Sequence, residues 1–200
     1  MKKFRELTTI AYQKRGYMSS IDHIFAGDSS FHNPKYKTQP LLALLRSELG
    51  EGSFFGSEEK RGRSYETKIA VVAANEDGTR ATLIPNYNRR FMSEDKGSDI
   101  TYEFLRVGNP YDELRTWEAA AATTATQGLY KPFFHERTER KFLDGALYSS
   151  NPAPIAQKEC DMIWPEMKTE NQPLDIFLSI GTSQNLAVST GVRLIGGEER

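Results

Sequence analysis

The sequence predicts an α/β fold, a layered sheet with flanking helices, and three observations predict it. Lys68 to Ala74 and Ile176 to Ile180 are apolar runs without polar alternation, the pattern of strands covered on both faces. Leu-rich residues 38–49 and Ala-rich residues 113–127 have helical spacing, and each run stops at a glycine. The two kinds of segment are mixed along one chain with no internal repeat, which points to helices layered on a sheet.

Taken in order, Phe4, Leu7, Ile10 and Ala11 fall at helical spacing and predict a first helix ending near Gly16. Asp22 to Tyr36 is rich in Ser, Asn, Asp and Gly and predicts a loop. Thr38 is placed to cap a second helix carrying Leu41, Leu42, Leu44, Leu45 and Leu49, closed by Gly50. Leucine on almost every face places this helix between layers. Glu51 to Ser64 is a charged connection. Lys68 to Ala74, the Asn75-Glu76-Asp77-Gly78 turn and Ala81 to Tyr87 predict a hairpin. Asn88 to Ser98 is polar, and Ile100 to Val107 predicts a further strand. The Ala119 to Ala125 centre of the third helix is small enough to approach a sheet closely, and Gly128 is its stop. Phe142-Leu143 ends a short strand, Ala153 to Trp164 predicts a helix ended by Pro165, and Ile176 to Ile180 the last strand.

Two hundred residues with 38% hydrophobic content suffice for one sizeable core, so a single domain over 1–200 is expected. A net charge of −1 gives no basic footprint for nucleic acid. The Lys60-Arg61-Arg63 and Arg89-Arg90 clusters read as solvated loops. The single cysteine, Cys160, excludes an internal disulfide and fits a reducing compartment. His23, His32 and His135 share no metal-ligand spacing, so no metal is expected. The longest apolar run is too short to cross a bilayer and no secretory signal is visible, so a cytoplasmic or peripheral-membrane location is expected.

Asp144-Gly145-Ala146 carries the most chemical information. The acid stands in a turn between the Phe142-Leu143 strand and the Asn151-Pro152 helix start. Gly145 reads as the residue that supplies a positive φ. A carboxylate at such a switch suits a base at the rim of a pocket beside the strand ends. Taken alone, an Asp-Gly pair is a turn and nothing more.

Three blocks in order give this pair a second meaning: Lys68 to Ala74 with its return strand, Trp117 to Ala125, and Phe142 to Pro152 trailed by Phe177 to Thr182. Together they resemble the C-terminal half of the patatin-like phospholipase domain, most closely its fungal members. The resemblance implies a lipid acyl hydrolase with a Ser-Asp dyad, with Asp144 as the base within the motif Asp144, Gly145, Ala146. It implies no metal and no cofactor, a lipid ester substrate and a lipid or peripheral membrane surface as partner. Ala121 stands where the family carries Arg, and its proline is replaced near Gln127-Gly128. A glycine-rich oxyanion loop and a Gly-x-Ser-x-Gly elbow precede this region in the family, and neither occurs in these 200 residues.

The N-terminal strands and the nucleophile elbow are therefore expected to be missing, and the chain alone is expected to be inactive. The alternatives are a non-catalytic lipid-binding or regulatory remnant and an incomplete gene model of a longer enzyme, with an N-terminal segment or fused domains elsewhere. Without the central strands, Ile69 to Val72 and Ile176 to Leu178 are expected to border an unpaired sheet edge. Ser183 follows a strand in Gly181-Thr182-Ser183, but Asn185 stands where an elbow needs its second glycine. Gly196-Gly197 reads as a turn. His135 precedes the charged stretch Glu136 to Lys141 and reads as a surface histidine. Trp117 and Trp164 read as core or helix-edge aromatics.

Overall fold

The computed structural model describes residues 2–15, 34–56, 67–89, 101–164 and 177–180. His23, His32, the Lys60-Arg61-Arg63 cluster, Arg90, Ser183 and Gly196-Gly197 lie outside the described residues, as does most of the 22–36 and 88–98 loops. The chain divides into two compact units, Met1–Asn88 with Asp95–Ser150, and Arg89–Glu94 with Asn151–Arg200.

The first unit holds α1 (Lys2–Ala11), α2 (Thr38–Leu49), β1 (Ala70–Ala74), β2 (Ala81–Pro85), β3 (Tyr102–Phe104), α3 (Thr116–Thr123), β4 (Phe133–His135) and β5 (Arg140–Asp144). Among the described residues it is a mixed α/β arrangement around one five-stranded sheet in the order β3-β2-β1-β5-β4. The predicted hairpin is present: β1 and β2 run antiparallel with Val72 opposite Leu83. Asn75 Oδ1 accepts from the Thr79 and Arg80 amides and closes its turn, with Gly78 at φ +66°. The strand expected within 100–107 is β3, parallel to β2.

β1 is central in the strand order, but it pairs with β2 along Ala70–Ala74 and with β5 only at Ala73 and Ala74, so the stretch before Ala73, expected to border an unpaired edge, has no ladder partner on the β5 side among the described residues. Nor is β1 covered along its whole length. Ala70 is exposed and only Ala73 and Ala74 are fully buried, whereas every residue of β2 is buried. Its fully covered half lies where β5 pairs with it, at Ala73–Asp144 and Ala74–Leu143.

α2 packs against both α1 and α3, as a helix between layers should, yet none of its residues is fully buried. Leu42 and Leu45 pack on the core while Leu49 is exposed. Thr38 is its first helical residue; its hydroxyl accepts from the Lys131 amide at 3.0 Å and leaves the helix uncapped by a side chain. Gly50, at φ +74°, ends it as expected.

α3 is shorter than its spacing predicts, because its threonines turn to other partners. Thr123 Oγ1 donates to Val72 O of β1 at 2.5 Å, and Thr124 Oγ1 returns to Ala120 O at 2.8 Å. Ala119, Ala121, Ala122 and Ala125 do bring this segment against the sheet, in one core with Phe54, Ile84, Phe133 and Phe142. Trp117 packs edge-on against Phe133 at 6.0 Å at the margin of that core.

β4 carries no sequence signal, being three residues with two adjacent aromatics. Its alternation places Phe133 and His135 inside and Phe134 outside. His135 is therefore a buried residue and not a surface one, at 1% exposure. The charges of Glu136 to Glu139 belong to the β4–β5 turn, where Glu139 takes φ +53°. His135 Nδ1 meets Thr138 Oγ1 at 2.6 Å, while Nε2 lacks a hydrogen bond and lies 3.7 Å from Glu118 Oε2.

Burial pushes the His135 pKa down, against Glu118 and Asp112, which raise it, and with Arg137, which lowers it further. The unfolded chain, with an imidazole near pH 6.5, then binds more protons than the folded one just below that pH. Stability is complete above this window and falls as pH drops through it. Urea titrations at several pH values should show this slope in the native protein and lose it in His135→Gln; an unchanged slope would refute the assignment.

In the second unit, α4 (Ala153–Ile163) begins one residue later than Asn151-Pro152 predicts. Pro152 occupies the N-cap, and Asn151 Oδ1 accepts from the Ala153 amide at 3.1 Å. Arg89 forms an ion pair with Glu159, their side chains 6% and 5% exposed. Cys160 is half-buried, and burial with Asp161 and Glu159 raises its thiol pKa. Phe177 to Ile180, expected as a buried strand, is not one: Leu178 and Ile180 are 64% and 85% exposed. β-branched and aromatic content marks a strand only where a ladder partner exists.

Candidate functional site

Three segments meet at Asp144. β5 delivers it as its last residue, paired with Ala73 of β1. The stretch after α3 lies against it, and the Asp144 amide donates to Ala125 O at 3.1 Å. A single 3-10 turn, Gly145–Leu147, then leads away.

Gly145 is required here for closeness and not for a positive φ, which it does not have. A Cβ on it would fall 2.2 Å from Val72 O and 2.6 Å from Val72 C. The Val72 carbonyl is thus pressed against Gly145 while it also accepts from Thr123 Oγ1. Leu147 continues the contact, because a Cβ on Gly78 would meet its Cδ2 at 2.6 Å. The Asp144 turn is held between the backbone of β1 and the hairpin turn.

The half-buried carboxylate has a partner on each oxygen. Oδ1 accepts from the Ala146 amide at 2.9 Å, the bond of an Asx turn, and Oδ2 accepts from Thr126 Oγ1. Ala146 itself is exposed and contributes only that amide. A carboxylate holding a hydroxyl through one oxygen and fixed by an amide through the other is the arrangement from which a base can take a proton. Thr126 is the residue that sequence reasoning missed. It lies 18 positions from Asp144 in a threonine-rich stretch, and only the docking of α3 on the sheet selects it.

Of the other residues considered from sequence, Trp117 belongs to the core margin, where its indole Nε1 donates to Glu51 Oε2 at 3.4 Å. Trp164 follows α4 and is exposed. His135 does not face Asp144; it belongs to the buried cluster with Glu118 and Arg137. Among the described residues no group of His, Cys, Asp and Glu could hold a metal ion, and no helix is long and apolar enough to cross a membrane.

No family model matches the chain, and no curated protein matches it.

Proposed function

We propose that the chain is the base-carrying part of a patatin-like lipid acyl hydrolase, with Asp144 as the base of a Ser-Asp dyad. The observation that supports this reading is the Thr126 hydroxyl already seated on Asp144 Oδ2, at the end of a strand and beside a glycine in close backbone contact. A serine hydroxyl delivered to the same oxygen would lose its proton to Asp144 as it attacks the ester carbonyl. The oxyanion would need backbone donors from a glycine-rich loop, absent from this sequence as is the Gly-x-Ser-x-Gly elbow. The substrate class is a phospholipid or neutral-lipid ester.

The same contacts favour a second reading, a non-catalytic lipid-binding remnant, since both Asp144 oxygens are occupied without any nucleophile.

The test supplies the N-terminal half of a patatin-like enzyme, fused or as a separate fragment, and follows hydrolysis of a short-chain ester. The chain alone should be silent and the complemented chain serine-dependent. Asp144→Asn should then lower turnover by about 10²–10⁴-fold, the range for removal of a general base. Thr126→Ala should preserve or raise turnover, because it vacates the oxygen that the serine uses. Activity indifferent to Asp144→Asn would reduce the Asp-Gly pair to a turn. Turnover by the chain alone that vanishes in Ser183→Ala would transfer the chemistry to Ser183.

A further inference from the structure

Away from Asp144, the first unit carries a cleft of about 920 Å³ between α2, the start of α3 and the β4 edge. This is the size of a small-molecule site. Basic side chains line it in excess over the two acids, Glu118 and Glu136. Some of that charge is already matched, Arg137 by Glu118 and both Arg46 and Arg115 by Glu51. Arg15, Lys37 and Lys131 are not: among the described residues none of them has a carboxylate partner.

These three cations come from three chain segments that are laced together. Lys14 bridges Tyr36, and the Lys37 amide donates to Gln13 O at 2.9 Å. The Tyr36 amide donates to Leu129 O at 2.9 Å, and the Lys131 amide to Thr38 Oγ1 at 3.0 Å. The short segments that carry the three charges are thus joined to one another, 13–14 to 36–37 and 36–38 to 129–131. The three cations share one cleft, in which Glu136 is the one lining acid not already matched by a cation among the described residues. The cleft also has an aromatic wall. The Trp117 ring is taken up by Arg46 at 5.7 Å, whereas Phe134 is 47% exposed.

We propose that this cleft binds a phosphate-bearing small molecule or head group. Its phosphate is held by Arg15, Lys37 and Lys131 and its less polar part lies against Phe134. A multivalent anion suits three unmatched cations of one cleft better than a single carboxylate does, and arginine offers it a fork of donors. The inference does not depend on the role of Asp144.

The test titrates the intact chain with inorganic pyrophosphate and ATP by calorimetry. In parallel it measures flotation with phosphatidylcholine vesicles, with and without phosphatidic acid. Saturable binding that weakens as salt rises is expected. The exposed pair Lys37→Gln/Lys131→Gln should weaken binding about 10-fold, the sum of two solvent-accessible ion pairs. Phe134→Ala should weaken ATP more than pyrophosphate. Arg80→Gln, just before β2 and outside the cleft lining, where the guanidinium donates to Tyr102 O, is the control and should change nothing. Binding of the soluble probes identifies a free phosphate compound as the ligand; binding only of phosphatidic acid vesicles identifies a lipid phosphate. Saturable binding to neither, or an equal loss in Arg80→Gln, would overturn the proposal, and circular dichroism of each variant separates lost binding from lost fold.

Discussion

Glu118→Ala should lower the unfolding free energy by about 3 kcal/mol, measured by urea denaturation near neutral pH. Breaking a buried ion pair costs about 3–5 kcal/mol because the partner charge is left behind. The lower end applies, since the Arg137 side chain is 29% exposed and water can reach it. Glu118 does three things at once. Its Oε2 accepts from the Arg115 amide at 2.7 Å, closing the first turn of α3. Its two oxygens take the Arg137 guanidinium, which also donates to Glu113 O at 3.0 Å. It is also the nearest carboxylate to the buried His135 Nε2. Glu118→Gln keeps the amide acceptor and loses the charge, so its loss should fall between that of the alanine variant and zero. Equal stability of Glu118→Ala and the native chain would show that the cluster contributes nothing to folding.

Gly145→Ala should be comparably damaging, at about 3 kcal/mol, the upper end of what overpacking costs. The atom that the new methyl would meet is the Val72 carbonyl oxygen, which cannot rotate away as a side chain can. That carbonyl also anchors Thr123, so the strain would reach the end of α3. Because φ at Gly145 is not positive, the penalty is one of space alone, and Val72→Gly, which leaves the oxygen in place, should not relieve it. Ala146→Gly, one residue on and exposed, serves as the comparison and should cost well under half as much. A Gly145→Ala protein as stable as the native one would mean that β1 and the Asp144 turn can separate without loss.

Much of the sheet was legible because its signals are local. The Asn75 to Gly78 turn lies between two apolar runs, and the turn chemistry and the strands agree. Asp144 was legible for the same reason, as an acid between a strand and a turn. What escaped depends on contacts that no short window contains. The glycine at 145 is explained by Val72, 73 positions earlier, and Thr126 acquires its role only once α3 lies on the sheet. β4 escaped because three residues are too few for a period, and the charged turn after it hid the inward-facing His135. The opposite error befell Phe177 to Ile180, where composition suited a strand and no pairing occurred. The leucines of residues 41–49 suggested burial on every side, but Leu41, Leu42, Leu44 and Leu45 are half-buried and Leu49 is exposed, and leucine is also a strong helix former.

The Arg89–Glu159 pair of the second unit has a consequence for how this sequence can change over generations. Both side chains are almost wholly withdrawn from water, and they are joined across 70 positions. Replacing either residue alone takes an opposite charge away from one that is withdrawn from water, whereas replacing both by apolar residues of similar bulk is often neutral. The two positions therefore do not drift independently. Descendants of this chain should keep the pair or lose it as a unit, and single-residue intermediates should be selected against.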